Sequence, residues 1–493
     1  MTSVLALDQG TTGSTALVIS QSGEVIGRSY REFTQHFPEP GMVEHDAEEI
    51  WRVTLTVARE AVEQAGEIPA AIGITNQRET VVTWDRATGE PLYRAIVWQD
   101  RRTAGRCQEL RDQLGDEYVA RRTGLVWDPY FSGTKIEWLL RNVDGLRERA
   151  LNADAVFGTI DSWLIFRLTS GAVFATDHTN ASRTMLYGID RLDWEDDLLD
   201  LFGVPRAALP EVKGSSEILG ETDPEHLGAA IPVAGMAGDQ QAALFGQGCF
   251  EAGQAKCTYG TGAFLLMNVG QKRPTGSDRG VITTVGCDPE GAPAYALEGS
   301  IFIAGAAVQW LRDGLGLVQD AAETEALAGS VESTGGVHFV PAFVGLGAPH
   351  WEANARGTIV GVTRGTGRAH LVRAALEAMA YSVKDVADAM YRVSGVPLSD
   401  LRVDGGASQN GWLMQFQADT LGAPVARPDM VETTALGAAG LAGLATGVWG
   451  SPEEFVGTRR YERFEPERRG DPAGYGEWRR AVDTALYWAR YSV

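Results

Sequence analysis

The sequence predicts an α/β fold made of a duplicated domain, and three observations carry that prediction. A small apolar run, Ile231 to Gly238 (IPVAGMAG), has the character of a buried strand and delivers Asp239 to a junction with the helical QQAALFG. Two separate stretches, around Gly10 to Gly13 and around Gly260 to Gly262, read as a strand, a Gly/Thr turn and a second strand. Each hairpin opens a half of the chain that continues with helices and further strands, the alternation expected of an α/β layer architecture.

The 493 residues suffice for roughly two to four domains and a sizeable core. Apolar residues at 44% and charged residues at 22% make an ordinary globular mix without the signature of disorder. The charge of −22, from 65 acidic and 43 basic residues, produces a field that repels nucleic acid and anionic membrane, so neither is expected as a partner. Cys107, Cys249, Cys257 and Cys287 show no CxxC spacing, and the chain enters Val4-Leu5-Ala6-Leu7 without a basic leader; a reducing, cytoplasmic setting is expected. Ala435 to Trp449 is too short and too broken by glycine to insert stably in a bilayer and reads as a tightly packed helix.

In the first half, SVLALDQG forms a strand pattern containing Asp8, then Thr11-Thr12-Gly13-Ser14 turn the chain into a second apolar run, Ala16 to Ile19. A third strand is expected over Val25 to Phe33. Asp46 and Glu49 form a capping-box pair for a helix to about Gly66, with Ile50, Val53, Val57 and Ala61 on one face. Ala70 to Thr75 follows as a strand.

The second half repeats this plan. Strands over Gly280 to Gly286 and Ala294 to Glu298 follow the GTG hairpin, and Ala304 to Arg312 begins a helix. VHFVPAF reads as a strand after Gly336. Val372, Ala375, Leu376, Met379, Val383, Val386 and Met390 recur every three or four residues in a helix from Arg368 to Ser394, which Gly395 and Pro397 stop. Leu401 to Val403 runs into Asp404-Gly405-Gly406, and another helix extends to Leu421. Glycines at 246 to 253 mark the boundary, giving domains 1–247 and 248–493. A last helix from Gly476, with Trp478, Val482, Ala485 and Ala489 on one face, packs back on the body.

Phosphoryl transfer from a nucleotide requires amides and hydroxyls around the phosphates, a divalent cation and a base for the attacking hydroxyl. DQGTTGST offers Thr11 and Thr12 hydroxyls with successive amides, and Asp8 suits Mg²⁺ held through water, although it also fits a turn-forming Asp. Thr261 and its glycines fit an anion nest or a plain hairpin turn. Asp239 fits a base or a helix N-cap. Gly405-Gly406 lets a flat base approach the backbone, with Asn410 beside it, or is a tight turn; no Walker A loop exists. Arg78 and Glu79 at a strand end put a donor fork beside an acceptor, which suits a small polyol or a surface ion pair. Trp98 and Tyr130 fit either an aromatic wall or core packing.

Over nearly its full length the chain resembles the FGGY family of carbohydrate kinases. The strings that carry the likeness are DQGTT, ITNQRET, WQDRR, DPYFSGTKIEWLL, GDQQAALFGQ, YGTGAFLLMN, the segment from Gly299 to Arg312 and VDGGASQNGWLMQFQADTLGAPV. NQRE and GDQQ separate members acting on glycerol from those acting on pentuloses. The resemblance implies a duplicated actin-like ATPase (ribonuclease H-like) fold with a central cleft, and ATP-dependent formation of sn-glycerol 3-phosphate. It implies glycerol bound by Arg78, Glu79, Tyr130, Asp239 and Gln240, with Trp98 and Phe264 against its carbons and Asp239 as base. It implies ATP at Thr11, Thr12, Gly13, Thr261, Gly305, Gln309, Gly406 and Asn410, Mg²⁺ near Asp8 and Asp239, and a homo-oligomer, dimer or tetramer.

The likeness departs at two places. Thr15 stands where many members have an Arg that reaches the phosphates. ETDPEHLGAAIP lacks the glycine pattern and Arg with which some bacterial members bind fructose 1,6-bisphosphate, so no inhibition through that loop is expected; His226 within it is expected to face solvent. Two other functions fit parts of the sequence. A kinase of this fold for another polyol or ketose would differ in substrate preference, and an actin-like or chaperone-like ATPase would turn over ATP without glycerol and have no use for NQRE or Tyr130.

Overall fold

Two hairpins each seed a sheet in the computed structural model, which describes residues 2–278, 280–430, 432–467 and 472–491. Strand β1 (Ser3–Gln9) turns through residues 10–12 into β2 (Gly13–Ser20), antiparallel, with Asp8 opposite Thr15. Beyond β2 lies β3 (Val25–Glu32), and on the other side of β1 the parallel strand β4 (Ala71–Asn76). Two further strands, β5 (Ser216–Glu221) and β6 (Pro232–Gly238), complete the sheet, β6 parallel to β4 and β5 antiparallel at the edge. The order is β3-β2-β1-β4-β6-β5. The inner strands read as nearly unbroken apolar runs because both of their faces are covered.

The second sheet is built from β7 (Gln254–Tyr259), β8 (Ala263–Gly270), β9 (Val281–Cys287), β10 (Pro293–Ile301), β11 (Asp400–Asp404), β12 (Val425–Pro428) and β13 (Tyr461–Phe464). Its order is β9-β10-β8-β7-β11-β12-β13. Setting β9 aside, the two orders match strand for strand. The hairpin β7/β8 corresponds to β1/β2, β11 lies parallel to β7 as β4 does to β1, β12 lies parallel to β11, and β13 is the antiparallel edge. The duplicated α/β topology expected from the hairpins is therefore present.

The chain folds into two compact units, one of residues Met1–Phe250, Thr283–Tyr295 and Glu432–Thr458, the other of Glu251–Ile282, Ala296–Val431 and Arg459–Val493. In the first unit, the helix Ala47–Ala65 is started by Asp46, whose Oδ1 accepts from the amides of Glu48 (2.9 Å) and Glu49 (3.1 Å), and stopped by Gly66 at φ 69°. Its buried face carries Ile50, Trp51, Val57, Ala58 and Ala61. Each large side chain there stabilises the packing by roughly 1.5–3 kcal/mol. Val53 is only half-buried on this helix.

The glycine-rich run is the helix Thr433–Ala445, packed against the helix Asp239–Gly246 and the strands β4 and β6 of the same unit. A Cβ on Gly437 would fall 1.8 Å from the Ala242 carbonyl, so only glycine permits this approach. No helix among the described residues is long and apolar enough to cross a membrane.

In the second unit, the helix Arg368–Ser394 ends at Gly395 (φ 71°) as the periodicity predicts, and the final helix, Pro472–Tyr491, buries Trp478, Val482, Ala485 and Ala489. Three expectations are corrected. The helix over 304–312 is helical from Gly305 to Gln309 and then widens into a π turn, Trp310–Gly314, where the indole of Trp310 occupies the space a Cβ on Gly314 would need. The strand in VHFVPAF covers only His338–Val340, because Pro341 has no N–H to continue the ladder. His226, expected to face solvent, is half-buried in the first unit. Its ring sits 5.1 Å edge-to-face on Trp51, and Nε2 lies 3.0 Å from the Arg167 carbonyl.

Candidate active site

Asp239 is the first residue of its helix; Gly238, in extended backbone, is the cap. The N-cap role that the sequence left open for Asp239 therefore falls to its neighbour. Gly238 has a second role, since a Cβ there would lie 2.7 Å from Cγ and Cδ of Arg78. Arg78 is thus free to cross the end of β6 and reach Asp239, with Nε 3.2 Å from Oδ1. The same Nε is 3.7 Å from Glu79 Oε1, and Nη1 donates to Gln241 Oε1 at 3.2 Å. Arg78 and Glu79 are almost fully buried, whereas the Asp239 side chain remains 32% exposed, open to a substrate. Gln240 is half-buried beside it.

The two aromatics meet: the rings of Trp98 and Tyr130 lie 5.4 Å apart at 70°. Trp98 also donates from Nε1 to Thr11 Oγ1 at 2.9 Å, which ties this wall to the first Gly/Thr turn. That turn is closed by the Gly10 amide on the Gly13 carbonyl (2.9 Å) and leaves Thr12 exposed. Behind it, Gln35 donates from Nε2 to the Thr11 carbonyl at 3.0 Å and accepts at Oε1 from His45 Nε2 at 2.8 Å. Burial pushes the His45 ring down to about 4, with the nearby His36 charge acting the same way, so the bridge is neutral at pH 7.

Asp8 lies close enough to Asp239 for the two charges to interact. Desolvation, aided by the Asp239 charge, pushes the Asp8 carboxyl up to about 7. Two carboxylates that resist simultaneous ionisation gain from a shared cation. A carboxylate pair suits a cation that takes one or two carboxylates and keeps several waters. The donor set fits Mg²⁺ on that chemistry.

The other predicted residues belong to the second unit. Thr261 lies in the β7/β8 turn, and its carbonyl accepts from the amides of Ala304 (2.8 Å) and Ala306 (3.1 Å), while the Gly260 carbonyl accepts from Gly305 (2.9 Å). Gly305 therefore starts its helix directly against the turn, and Gln309 is exposed on that helix. The parallel pairing of Thr258 with Asp404 brings the Gly405-Gly406 turn to the same end of the sheet; Gly405 has φ 86°, and a Cβ there would meet the Tyr259 carbonyl at 2.3 Å. A cavity of about 710 Å³ opens there, lined by Gly405, Gly406, Ser408, Gln409, Arg427 and Arg460 among others. Asn410 caps the helix Gly411–Leu421, accepting from the Leu413 amide at 2.8 Å and donating to Thr324 at 3.1 Å. Phe264 is 40% exposed on β8.

Sequence reading missed four supporting residues. Lys135, fully buried in YFSGTK, donates from Nζ to the Tyr130 carbonyl at 3.0 Å; burial pushes it down to about 8 against the opposing pull of Glu79, Asp100 and Asp128. Gln241 holds Arg78, and Thr179 and Arg183 contact the site from behind. A buried Lys in an amphipathic helix and the second Gln of GDQQ were visible signals. Nothing local marks Thr179 or Arg183, because their partners, Gly238 and Glu79, lie far along the chain.

Comparison with known proteins identifies the family. The model of the FGGY carbohydrate kinase N-terminal domain matches residues 3–246 and that of the C-terminal domain residues 255–446. The chain is 55% identical to glycerol kinase 2 of Thermotoga maritima, covering 99% of each chain, and 56% identical to glycerol kinase of Carboxydothermus hydrogenoformans, covering 98% of each. It superposes on the crystal structure of Plasmodium falciparum glycerol kinase with ADP at TM-score 0.93 and 37% identity, covering 99% of this chain and 98% of that one. A xylulose kinase from Lactobacillus acidophilus, at 19% identity and TM-score 0.86, shares the fold. With both halves matched by its domain models and close relatives aligned from end to end, the chain belongs to the FGGY family of carbohydrate kinases.

Proposed function

We infer that this chain transfers the γ-phosphoryl group of ATP to a terminal hydroxyl of glycerol, giving sn-glycerol 3-phosphate and ADP. The observation that carries the reading is the convergence of Arg78, Glu79 and the half-open Asp239 carboxylate, with Nε of Arg78 3.2 Å from Asp239. A donor fork, an acceptor and a base side by side match three adjacent hydroxyls, which both donate and accept. The names of the relatives agree: glycerol kinases at about 55% identity from end to end.

Asp239 takes the proton of the attacking hydroxyl as the oxygen bonds to phosphorus. Arg78, Glu79, Tyr130 and Gln240 hold the hydroxyls, and Trp98 and Phe264 cover the carbons. ATP is held by Thr11, Thr12 and Gly13 from the segment 1–247, which carries the polyol site, and by Thr261, Gly305, Gln309, Gly406 and Asn410 from the segment 248–493. Asp8 and Asp239 would hold Mg²⁺, which would supply positive charge against the phosphates. The enzyme acts in the cytoplasm as a homo-oligomer, with no regulation through residues 221–232.

The test is the product. ATP and glycerol together should yield sn-glycerol 3-phosphate with ADP in equal amount, and erythritol or a pentulose should react far more slowly. ATP turnover that does not change on adding glycerol would instead support a nucleotide-driven conformational machine.

A further inference from the structure

Arg183 is fully buried and ends a segment, Asp177 to Arg183 (DHTNASR), that touches both parts of the polyol site. Asn180 exchanges two amide hydrogen bonds with Asn76, at 3.0 and 3.1 Å, where β4 ends and the NQRE turn begins. Thr179 Oγ1 accepts from the amide of Gly238 at 2.9 Å, one residue before Asp239. Asp177 anchors the segment by accepting from the amides of Thr179 and Asn180. Arg183 itself donates from Nε to Glu79 Oε1 at 2.7 Å.

Two features make this last contact more than packing. Glu79 has φ 63°, a left-handed conformation that a glutamate holds only when its surroundings impose it. The Arg183 guanidinium carbon lies 5.8 Å from the centroid of the Tyr130 ring and 5.2 Å from that of Phe131, so aromatic contacts fix the plane of the donor. Glu79 Oε1 is also 3.7 Å from Arg78 Nε, which faces Asp239 at 3.2 Å. Without Arg183 the carboxylate would move onto Arg78 and compete with Asp239 for the same N–H.

We propose that Arg183 is a positioning residue for substrate recognition: its guanidinium holds the Glu79 carboxylate where it accepts a glycerol hydroxyl, without touching glycerol. The proposal rests on Glu79 being a glycerol ligand. A rigid acceptor at a fixed distance from Arg78 selects hydroxyls by spacing, and a mobile one does not.

Steady-state kinetics of Arg183→Gln, Arg183→Lys, Glu79→Gln and the Glu79→Gln/Arg183→Gln double variant test it. Arg183→Gln should raise the glycerol KM by roughly ten- to a hundredfold, the loss expected for one buried charge-assisted bond, with the ATP KM within about threefold. Arg183→Lys should fall between, since an ammonium keeps the charge but not the planar fork. In the Glu79→Gln background, Arg183→Gln should add less than about threefold, because it acts through the carboxylate already removed. Equal rises in both KM values, or full additivity with Glu79→Gln, would mean a packing role and overturn the proposal. If Glu79→Gln alone leaves the glycerol KM unchanged, the assignment of Glu79 falls; if Glu79→Gln raises it and Arg183→Gln does not, only the proposal falls. Should Arg183→Gln fail to fold, a wild-type glycerol KM in Arg183→Lys overturns it.

Discussion

Arg78 faces three acceptors, Asp239, Glu79 and Gln241, and so fixes both the polarity of the pocket and the position of the base. Removing it takes from Asp239 the guanidinium 3.2 Å away and leaves the buried Glu79 carboxylate on Arg183. Arg78→Ala is expected to raise the glycerol KM by about 10²-fold, a loss typical of a charged contact in a desolvated site, and a KM unchanged in initial-rate assays would remove Arg78 from the pocket. Asp239 has a different duty, since it must take a proton only as the new bond forms. Asp239→Asn keeps the shape and loses the base, so kcat should fall by about 10² or more while glycerol still binds. Near wild-type turnover would reduce Asp239 to a structural partner of Arg78.

At the scale of elements, the helix that starts with Asp239 is held by the glycine-rich helix Thr433–Ala445. Their backbones are close enough that a methyl at Gly437 would meet the Ala242 carbonyl at 1.8 Å. Gly437→Ala should therefore destabilise the protein by roughly 1–3 kcal/mol and lower kcat as Asp239 shifts; a thermal melt superimposable on the parent would contradict this. A second element-level device is the buried Asp161, at the start of the helix Ile160–Leu168, which accepts from Thr176 Oγ1 at 2.6 Å in the strand Ala175–Asp177. Desolvation and then the Asp177 charge push its carboxyl up to about 7 from 3.8. The folded state thus keeps a proton that the unfolded chain releases above pH 4. Through Asp161, stability is expected to fall as pH rises from about 4 to about 7, by on the order of 4 kcal/mol, and then to level off. Asp161→Asn should reduce that decline, to which the raised Asp8 carboxyl also contributes, in denaturant titrations across the window; an unchanged slope would show that Asp161 is ionised in the fold.

At the scale of the whole molecule, the residues assigned to the polyol, Phe264 apart, lie in the first unit, and Thr261, Gly305, Gln309, Gly406 and Asn410 in the second. On the proposed function, water must be kept from the phosphoryl group during transfer, so a closing step on binding both substrates is expected. Small-angle scattering should show a smaller radius of gyration when glycerol and a non-hydrolysable ATP analogue are added together. Identical curves with and without ligands would argue against it. The net charge of −22 gives a long-range field that repels polyanions.

The sequence by itself determined the repeat and the ends of the long helices, because these follow from local causes. A carboxylate accepts the amides of its own helix at Asp46, a left-handed glycine ends it at Gly66, and the apolar period names the buried face. Pairing Gly/Thr turns with strands was enough to expect two hairpins, and both sheets carry one. Local pattern could not decide where the strand before Pro341 stops, or that the helix after Gln309 widens, since each depends on a backbone detail read only in context. Only the tertiary structure decided that Arg78 turns across Gly238 to Asp239, that His226 packs on Trp51, and that Arg183 stands behind Glu79. Those contacts join residues far apart in the chain, and their free energy arises from burial and geometry that exist once the sheet has set its strands side by side.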